Sequence, residues 1–344
     1  MNYAVTIGIP VYNVEKYIRL AMDSALAQTF DDIEFLIIDD CGTDGAMDVV
    51  IEYQQSHPRG KDIRVVRQPQ NMGIGNARNR LIDEAQGKFL FFLDADDTIS
   101  SNAIEIMMRA AEEHNAEFVY GSYERIEVTG ENIKSTECRY PLLKFSKPDE
   151  FATYAYLKYD NIQAPVWNIL LSVELLRQHN IRFEPVNYWE DFAVSMDLPT
   201  YATRVVLLPN VTYHYYCRSG SLSHFQDRKV IHKQEIEQTV NLINNVKWNT
   251  ERIKNTFYFP MRMRKVMMTE FYIVCTILRQ AKKIQPAFTK GEIKDIMTYP
   301  LSLSEVVRFD NTRTINLLFY LLSKLPPAFF VFLIKYIGQT KGLI

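Results

Sequence analysis

Four runs of apolar residues, VTIGIPVY (5–12), IEFLIIDD (33–40), IRVVRQ (63–68) and KFLFFLD (88–94), constrain the fold more than anything else in the chain. Each is nearly continuous rather than alternating, the mark of strands covered on both faces. Helical patterns separate them, from Asn13 to Ala27, over 46–55 and over 76–86. A further helix, from about Ser101 to His114, precedes a fifth strand, AEFVYGSY (116–123). This alternation predicts an α/β fold with a mostly parallel central sheet flanked by helices. Ligands of such sheets bind beyond the carboxyl ends of the strands. Here those ends carry Pro10-Val11-Tyr12-Asn13, Asp39-Asp40 and Asp94-Ala95-Asp96-Asp97.

A strand that runs into Asp-x-Asp suits a hard divalent cation, because Mg²⁺ and Mn²⁺ prefer carboxylate oxygen and take phosphate oxygens and water for the rest of their shell. An isolated pair of this kind is as readily a turn and helix cap. The second acidic strand end, Asp39-Asp40, tilts the reading toward a site. No phosphate-cradling glycine loop accompanies it: Gly8 stands alone, and Gly73-Ile74-Gly75 lacks the rest of a dinucleotide fingerprint. Any nucleotide diphosphate must then be held through a metal.

Composition narrows the partners. With 39 basic and 41 acidic residues the net charge is −2, so nothing draws the chain as a whole to nucleic acid. Cys41, Cys138, Cys217 and Cys275 are scattered and form no CxxC pair, which argues against a disulfide framework or zinc knuckle and for a reducing cytosol. Residues 1–12 lack the basic start and cleavage site of a leader, and no apolar run reaches the roughly 18 residues that span a bilayer.

IPVYNVEKYI, LIIDDCGTDGA, NMGIGNARN and FLDADD, in this order over residues 3–125, resemble the nucleotide-sugar half of inverting family-2 glycosyltransferases of the GT-A (Rossmann-like) fold. The resemblance implies that Pro10, Tyr12 and Glu15 line the nucleotide pocket, with Tyr12 against the base, and that Asp39 accepts a hydrogen bond from the base, typically uracil. Arg78 should lie near the donor's ribose or diphosphate. The resemblance makes Asp94, Ala95 and Asp96 the DxD element and implies that Asp96, ahead of Asp94, holds Mn²⁺ or Mg²⁺. Gly42 stands where the family often has Ser, a change expected to affect the turn alone.

Inverting transfer needs a carboxylate to take the acceptor's proton. NYWEDFAVSMDL (187–198) resembles the family's ED block, which makes Asp191 the implied base and Glu190 its neighbour and substitute. By composition alone, acids in a first helical turn merely suit the helix dipole. APVWNILL (164–171) implies Trp167 and Asn168 near the acceptor. YHYYCRSGSLSH (213–224) implies Arg218 at the diphosphate or His224 near the metal. The expected organisation is a glycosyltransferase domain over 1–225, with halves 1–125 and 126–225, and a helical region over 226–344.

In that last region INLLFYLLSKLPPAFFVFLIKYIG (315–338) is strongly apolar but broken by Lys324 and Pro326-Pro327. Its two short helices suit core packing, a homodimer contact or a membrane interface, with basic clusters at Arg262, Arg264 and Lys265 and at Arg279, Lys282 and Lys283 nearby in sequence. The implied activity is metal-dependent transfer of a hexosyl group from a UDP-sugar to a saccharide or lipid-linked acceptor, in polysaccharide synthesis, in the cytoplasm or at the inner face of the membrane. Two alternatives stand beside it. FLFFLDADDT also fits a dehalogenase-type phosphatase with Asp94 as nucleophile, and a non-catalytic nucleotide-sugar-binding protein would keep Asp39 and the DxD pair without a base.

Overall fold

The computed structural model describes residues 3–129, 132–158, 165–186, 189–218 and 228–344. The chain divides into two compact units, one of residues 1–151 and 160–221, the other of residues 152–159 and 222–344.

The chain opens with β1 (Tyr3–Val11), α1 (Glu15–Leu26), β2 (Ile33–Asp39), α2 (Ala46–Ser56), β3 (Ile63–Arg67), α3 (Ile74–Glu84) and β4 (Gly87–Phe92). There follow β5 (Thr98–Ile99), α4 (Ala103–Glu113), β6 (Phe118–Thr129), β7 (Asn132–Cys138), β8 (Leu143–Phe145) and α5 (Glu150–Leu157). β9 (Ile169–Ser172), α6 (Val173–Gln178), α7 (Glu190–Asp197) and β10 (Val205–Cys217) complete the first unit, while most of α5, from Ala152 on, is counted with the second. Among the described residues one sheet runs in the order β3-β2-β1-β4-β9-β6-β10-β5, with β7 beside β6 and β8 beside β10.

The four apolar runs pair in parallel. Beyond β4 the sheet is mixed, because β9 lies antiparallel to both β4 and β6 while β6 and β10 are parallel. Ile7, Phe35, Ile37 and Phe91 are completely buried in its core, each worth roughly 1.5–3 kcal/mol of burial. α1 covers one face with Ile18, Ala21, Met22 and Ala25, the i, i+3, i+4, i+7 stripe of an amphipathic helix.

Three local features shape the first unit. Asn13 does not cap α1: it sits in the left-handed region (φ 52°) and its side-chain oxygen accepts from the Thr43 N–H at 2.8 Å. β10 runs unbroken over Val205–Cys217, with register shifts between Leu207 and Tyr213 around Pro209, which has no N–H to give. Pro10 is tolerated inside β1 because pairing with β4 ends at Gly8–Phe92, and the alternation of the ladder turns its nitrogen toward that vacated side.

The second unit contains β11 (Ile231–His232), α8 (Lys233–Trp248), α9 (Phe259–Arg279), β12 (Ile284–Gln285), α10 (Lys290–Ile296), α11 (Leu303–Val306), α12 (Arg313–Ser323) and α13 (Pro327–Thr340). α9 is its axis, packing against α8, α10, α12 and α13. Met263, Val266, Val274, Met297 and Ile334 are wholly buried. Lys247 on α8 and Glu270 on α9, 0% and 1% exposed, form an ion pair at 2.7 Å. Arg262, counted with the basic clusters in sequence, is buried and donates to the Val246 carbonyl, so that cluster is not a surface patch. The break at Lys324–Pro326 falls between α12 and α13, with Pro327 in the first turn of α13. No helix among the described residues is long and apolar enough to cross a membrane.

Candidate active site

β2 lies on one side of β1 and β4 on the other, so the chain reverses its direction of travel across the sheet at β1. The crevice outside such a switch point is where open α/β sheets bind ligands. Tyr12, just past β1, is exposed there. Pro10 is buried beneath it. Glu15 opens α1 and braces the facing loop: its N–H donates to Asp44 at 2.7 Å and its carboxylate accepts from the Gly45 N–H at 3.0 Å. Gly42 lies in that loop, where a Cβ would stand 2.9 Å from the Asn13 nitrogen, so the glycine lets the two turns close on each other.

The two acids ending β2 divide the work. Asp40 is consumed by structure, since its carboxylate oxygens accept from the N–H groups of Met72 and Gly73 at 2.8 and 3.0 Å and hold the turn into α3. Burial raises its pKa despite those two bonds. Asp39 accepts from the Cys41 N–H at 2.9 Å and has its other oxygen 3.5 Å from the exposed Arg67. Gly73-Ile74-Gly75 is likewise structural: Gly73 has φ +82° ahead of α3, and a Cβ on Gly75 would lie 2.4 Å from the Glu184 carbonyl oxygen.

Past β4, the three acids separate by environment. Asp97 is buried. Its oxygens accept from the Tyr213 hydroxyl at 2.9 Å and the Tyr216 N–H at 2.8 Å, pinning the acidic turn to β10. Burial first, then Asp96 and Asp94, push its pKa up to about 8. Ala95 is buried in the core, which leaves Asp94 and Asp96 on the open side. Burial and the charge of Asp94 raise the Asp96 pKa against the opposing pull of Arg218.

Arg78 lies at the DxD turn as a buried cation among acids. It is 4% exposed, and both arms of its guanidinium are taken: one donates to Asp94 at 3.0 Å, the other to Glu190 at 2.5 Å. Burial opposes its charge, but Asp94, Glu190 and Asp191 outweigh that and raise its pKa. It is therefore a bridge among the acids of the site, with each terminal nitrogen engaged by a carboxylate. The next residue does a parallel job, since Asn79 exchanges two hydrogen bonds of 2.8 Å with the backbone of Phe183. Together they fasten the segment leading into α7 against the DxD turn.

That fastening brings Asp191 to the crevice. It stands in the first turn of α7, and burial, the adjacent Glu190 and Asp94 raise its pKa to about 7 against the pull of Arg78. A carboxyl of that kind exchanges a proton near neutrality, as a general base requires. Trp189, immediately before α7, has φ 64° and is 38% exposed. A bulky side chain in the left-handed region is strained, and such strain gathers at functional sites.

Trp167 and Asn168, expected near the acceptor, belong to the interior. Trp167 is buried in the core, stacked on Tyr213 at 4.6 Å and Tyr215 at 5.1 Å. Asn168 is buried against Gly121, Ser122 and Thr212. Arg218 lies between the rings of Tyr17 (4.3 Å) and Tyr216 (4.5 Å), donates to the Asp96 carbonyl and has Asp96 Oδ2 3.4 Å away. His224 lies outside the described residues. Sequence reasoning missed Trp189 and Tyr213; an aromatic directly ahead of the acidic helix start was the signal for the first.

Among the described residues no three His, Cys, Asp or Glu side chains form a ready-made metal cage. Asp94 and Asp96 nonetheless fit a divalent cation of the Mg²⁺ class: both are oxygen donors, Asp96 is partly exposed, and such ions take only one or two protein carboxylates beside phosphate and water.

The sequence profile of glycosyl transferase family 2 matches residues 6–179. Glycosyltransferase GlyA of Streptococcus pneumoniae is 25% identical over 267 residues, 72% of this chain and 36% of GlyA. Putative glycosyltransferase EpsH of Bacillus subtilis is 28% identical over 230 residues, 66% of this chain and 64% of EpsH. The chain thus spans about a third to two thirds of these relatives' lengths. Among solved structures, S. aureus TarS 1–349 in complex with UDP-GlcNAc superposes with a TM-score of 0.56 at 17% identity, over 93% of this chain and 90% of that one. The mannosyltransferase PcManGT of Pyrobaculum calidifontis, in complex with GDP-Man and Mn²⁺, gives 0.54 at 13% identity, over 99% and 88%. With half of its length matched by the family profile and its sheet shared with these GT-A structures, the chain belongs to glycosyl transferase family 2.

Proposed function

We propose that the chain transfers a hexosyl group from a nucleotide-diphosphate sugar, of the UDP class, to a hydroxyl of a saccharide or lipid-linked acceptor with inversion at the anomeric carbon. The observation that carries this reading is the Arg78 bridge, which sets a carboxyl titrating near 7, on Asp191, beside the paired acids Asp94 and Asp96. Tyr12 and Asp39 flank the open end of the crevice as a stacking face and a hydrogen-bond acceptor for the base. The nucleotide sugars bound by TarS and PcManGT support a nucleotide-diphosphate sugar as donor, and the UDP-GlcNAc of TarS favours the UDP class.

In this mechanism Asp191 takes the proton of the acceptor hydroxyl. The freed oxygen attacks the anomeric carbon from the face opposite the diphosphate, a new C–O bond forms, and the bond to the diphosphate oxygen breaks. A positioned base contributes on the order of 10²–10⁴ in rate. Asp94 and Asp96 would hold a divalent cation, which when bound neutralises charge on the leaving diphosphate. Arg78 keeps Asp94 and Glu190 in place, and Trp189 offers an exposed ring to the acceptor sugar. Family membership removes the ground for a phosphatase, and Asp94 is already paired with Arg78 rather than presented as a nucleophile.

The deciding experiment pairs a thermal-shift panel of UDP-, GDP- and dTDP-sugars, with and without Mn²⁺, with turnover by Asp191→Asn. Stabilisation by one donor only in the presence of metal, with turnover lost and donor binding kept in the variant, supports the reading. Unchanged turnover removes Asp191 from the mechanism.

A further inference from the structure

Residues 311–344 carry Arg313, Lys324, Lys335 and Lys341 and not one Asp or Glu. α12 and α13 bury one row each, Asn316, Phe319 and Leu322 on the first and Phe330, Ile334 and Gly338 on the second. Each also leaves an apolar row uncovered. Leu318 and Leu321 are exposed on α12, and Phe329, Phe332 and Tyr336 are exposed at i, i+3 and i+7 on α13. Phe332 is 65% exposed, and its ring is stacked with that of Phe329 at 6.4 Å. At the joint between the helices Lys324 reaches over the Tyr320 ring at 5.0 Å.

Removing such a row from water is favourable, so a bare row of phenylalanines marks a docking face. The charges around it choose the occupant. In a self-interface built from this same face, residues 311–344 of a second copy would bring further cations and no carboxylate to Lys324 and Lys335. An anionic lipid surface answers every one of these cations. It also accepts aromatic rings at the boundary between headgroups and acyl chains, with lysine stems lying along the apolar layer and their ammonium groups at the phosphates.

We propose that the exposed faces of α12 and α13 dock on an anionic membrane surface, with Phe329, Phe332 and Tyr336 in the interface and Lys324 and Lys335 at lipid phosphate. The helices lie on the membrane and do not cross it.

Flotation of the full chain with phosphatidylcholine vesicles, with and without phosphatidylglycerol, tests this. The chain should float only with phosphatidylglycerol and detach in high salt. Lys324→Gln and Lys335→Gln should each weaken partitioning about fivefold, and Phe329→Ser with Phe332→Ser should abolish it. Tryptophan emission of Phe332→Trp should shift to the blue on adding phosphatidylglycerol vesicles and stay unchanged with phosphatidylcholine alone. These side chains are exposed, so circular dichroism of the variants should match the parent. Absence of lipid-dependent flotation overturns the proposal, as does flotation indifferent to the Phe substitutions. A dimer in sedimentation equilibrium that the Phe substitutions dissolve overturns it in favour of a self-interface.

Discussion

Arg78 shows how one buried cation organises several acids. Its fork holds Asp94 and Glu190 and depresses Asp191. Arg78→Gln leaves those carboxylates facing each other without a counterion, and removing one partner of a buried ion pair costs roughly 3–5 kcal/mol. Urea melts should show that loss, and Arg78→Lys should recover only part of it because a single ammonium cannot fork. The pH profile gives an independent readout. Asp191 must be ionised to act, so kcat/KM should fall about tenfold per pH unit below about 7. Arg78→Gln should move that limb to higher pH, because the charge that lowers the Asp191 pKa is gone. Stability carries the opposite sign. An acid whose folded pKa lies above its unfolded one favours the fold at low pH, and that contribution is lost as pH rises through about 7. Asp191→Asn should therefore melt higher than the parent at pH 8 and equally at pH 4, while losing turnover.

At the scale of elements, the parallel strands and their helices were legible because each apolar run is long, unbroken and bounded by turn residues. The acidic strand ends stood out as a candidate site because they terminate those runs on one side of the sheet. What the sequence could not separate was the use of each acid: Asp40 and Asp97 are spent on backbone N–H groups, and that depends on which strand arrives opposite them. β10 supplies that partner for Asp97 from more than a hundred positions away. Trp167 was misplaced because an aromatic in the turn ahead of a short strand reads alike whether it faces a ligand or Tyr213. The β10 contact is testable. Tyr213→Phe removes the hydroxyl that donates to Asp97 and accepts from the Asp94 N–H. It should cost about 1–3 kcal/mol in denaturant melts and raise the Mn²⁺ concentration needed for half-maximal activity, while leaving the Asp191 limb of the pH profile in place.

The whole molecule has two cores, one around Ile7, Phe35 and Phe91 and one around Met263, Val274 and Ile334. The proposed donor residues all belong to the first unit, and the Lys247–Glu270 pair belongs to the second. A ligand that binds only folded protein stabilises what it binds, by about 2.7 kcal/mol at a hundred times its Kd. Lys247→Met leaves Glu270 buried without its cation and should cost the second unit roughly 3–5 kcal/mol, whereas Lys247→Met with Glu270→Leu should return most of it. In calorimetry, donor with Mn²⁺ should raise the transition of the first unit, and Lys247→Met should lower that of the second. If both perturbations move one shared transition by related amounts, the two cores melt as a single cooperative body and the separation into units has no thermodynamic meaning.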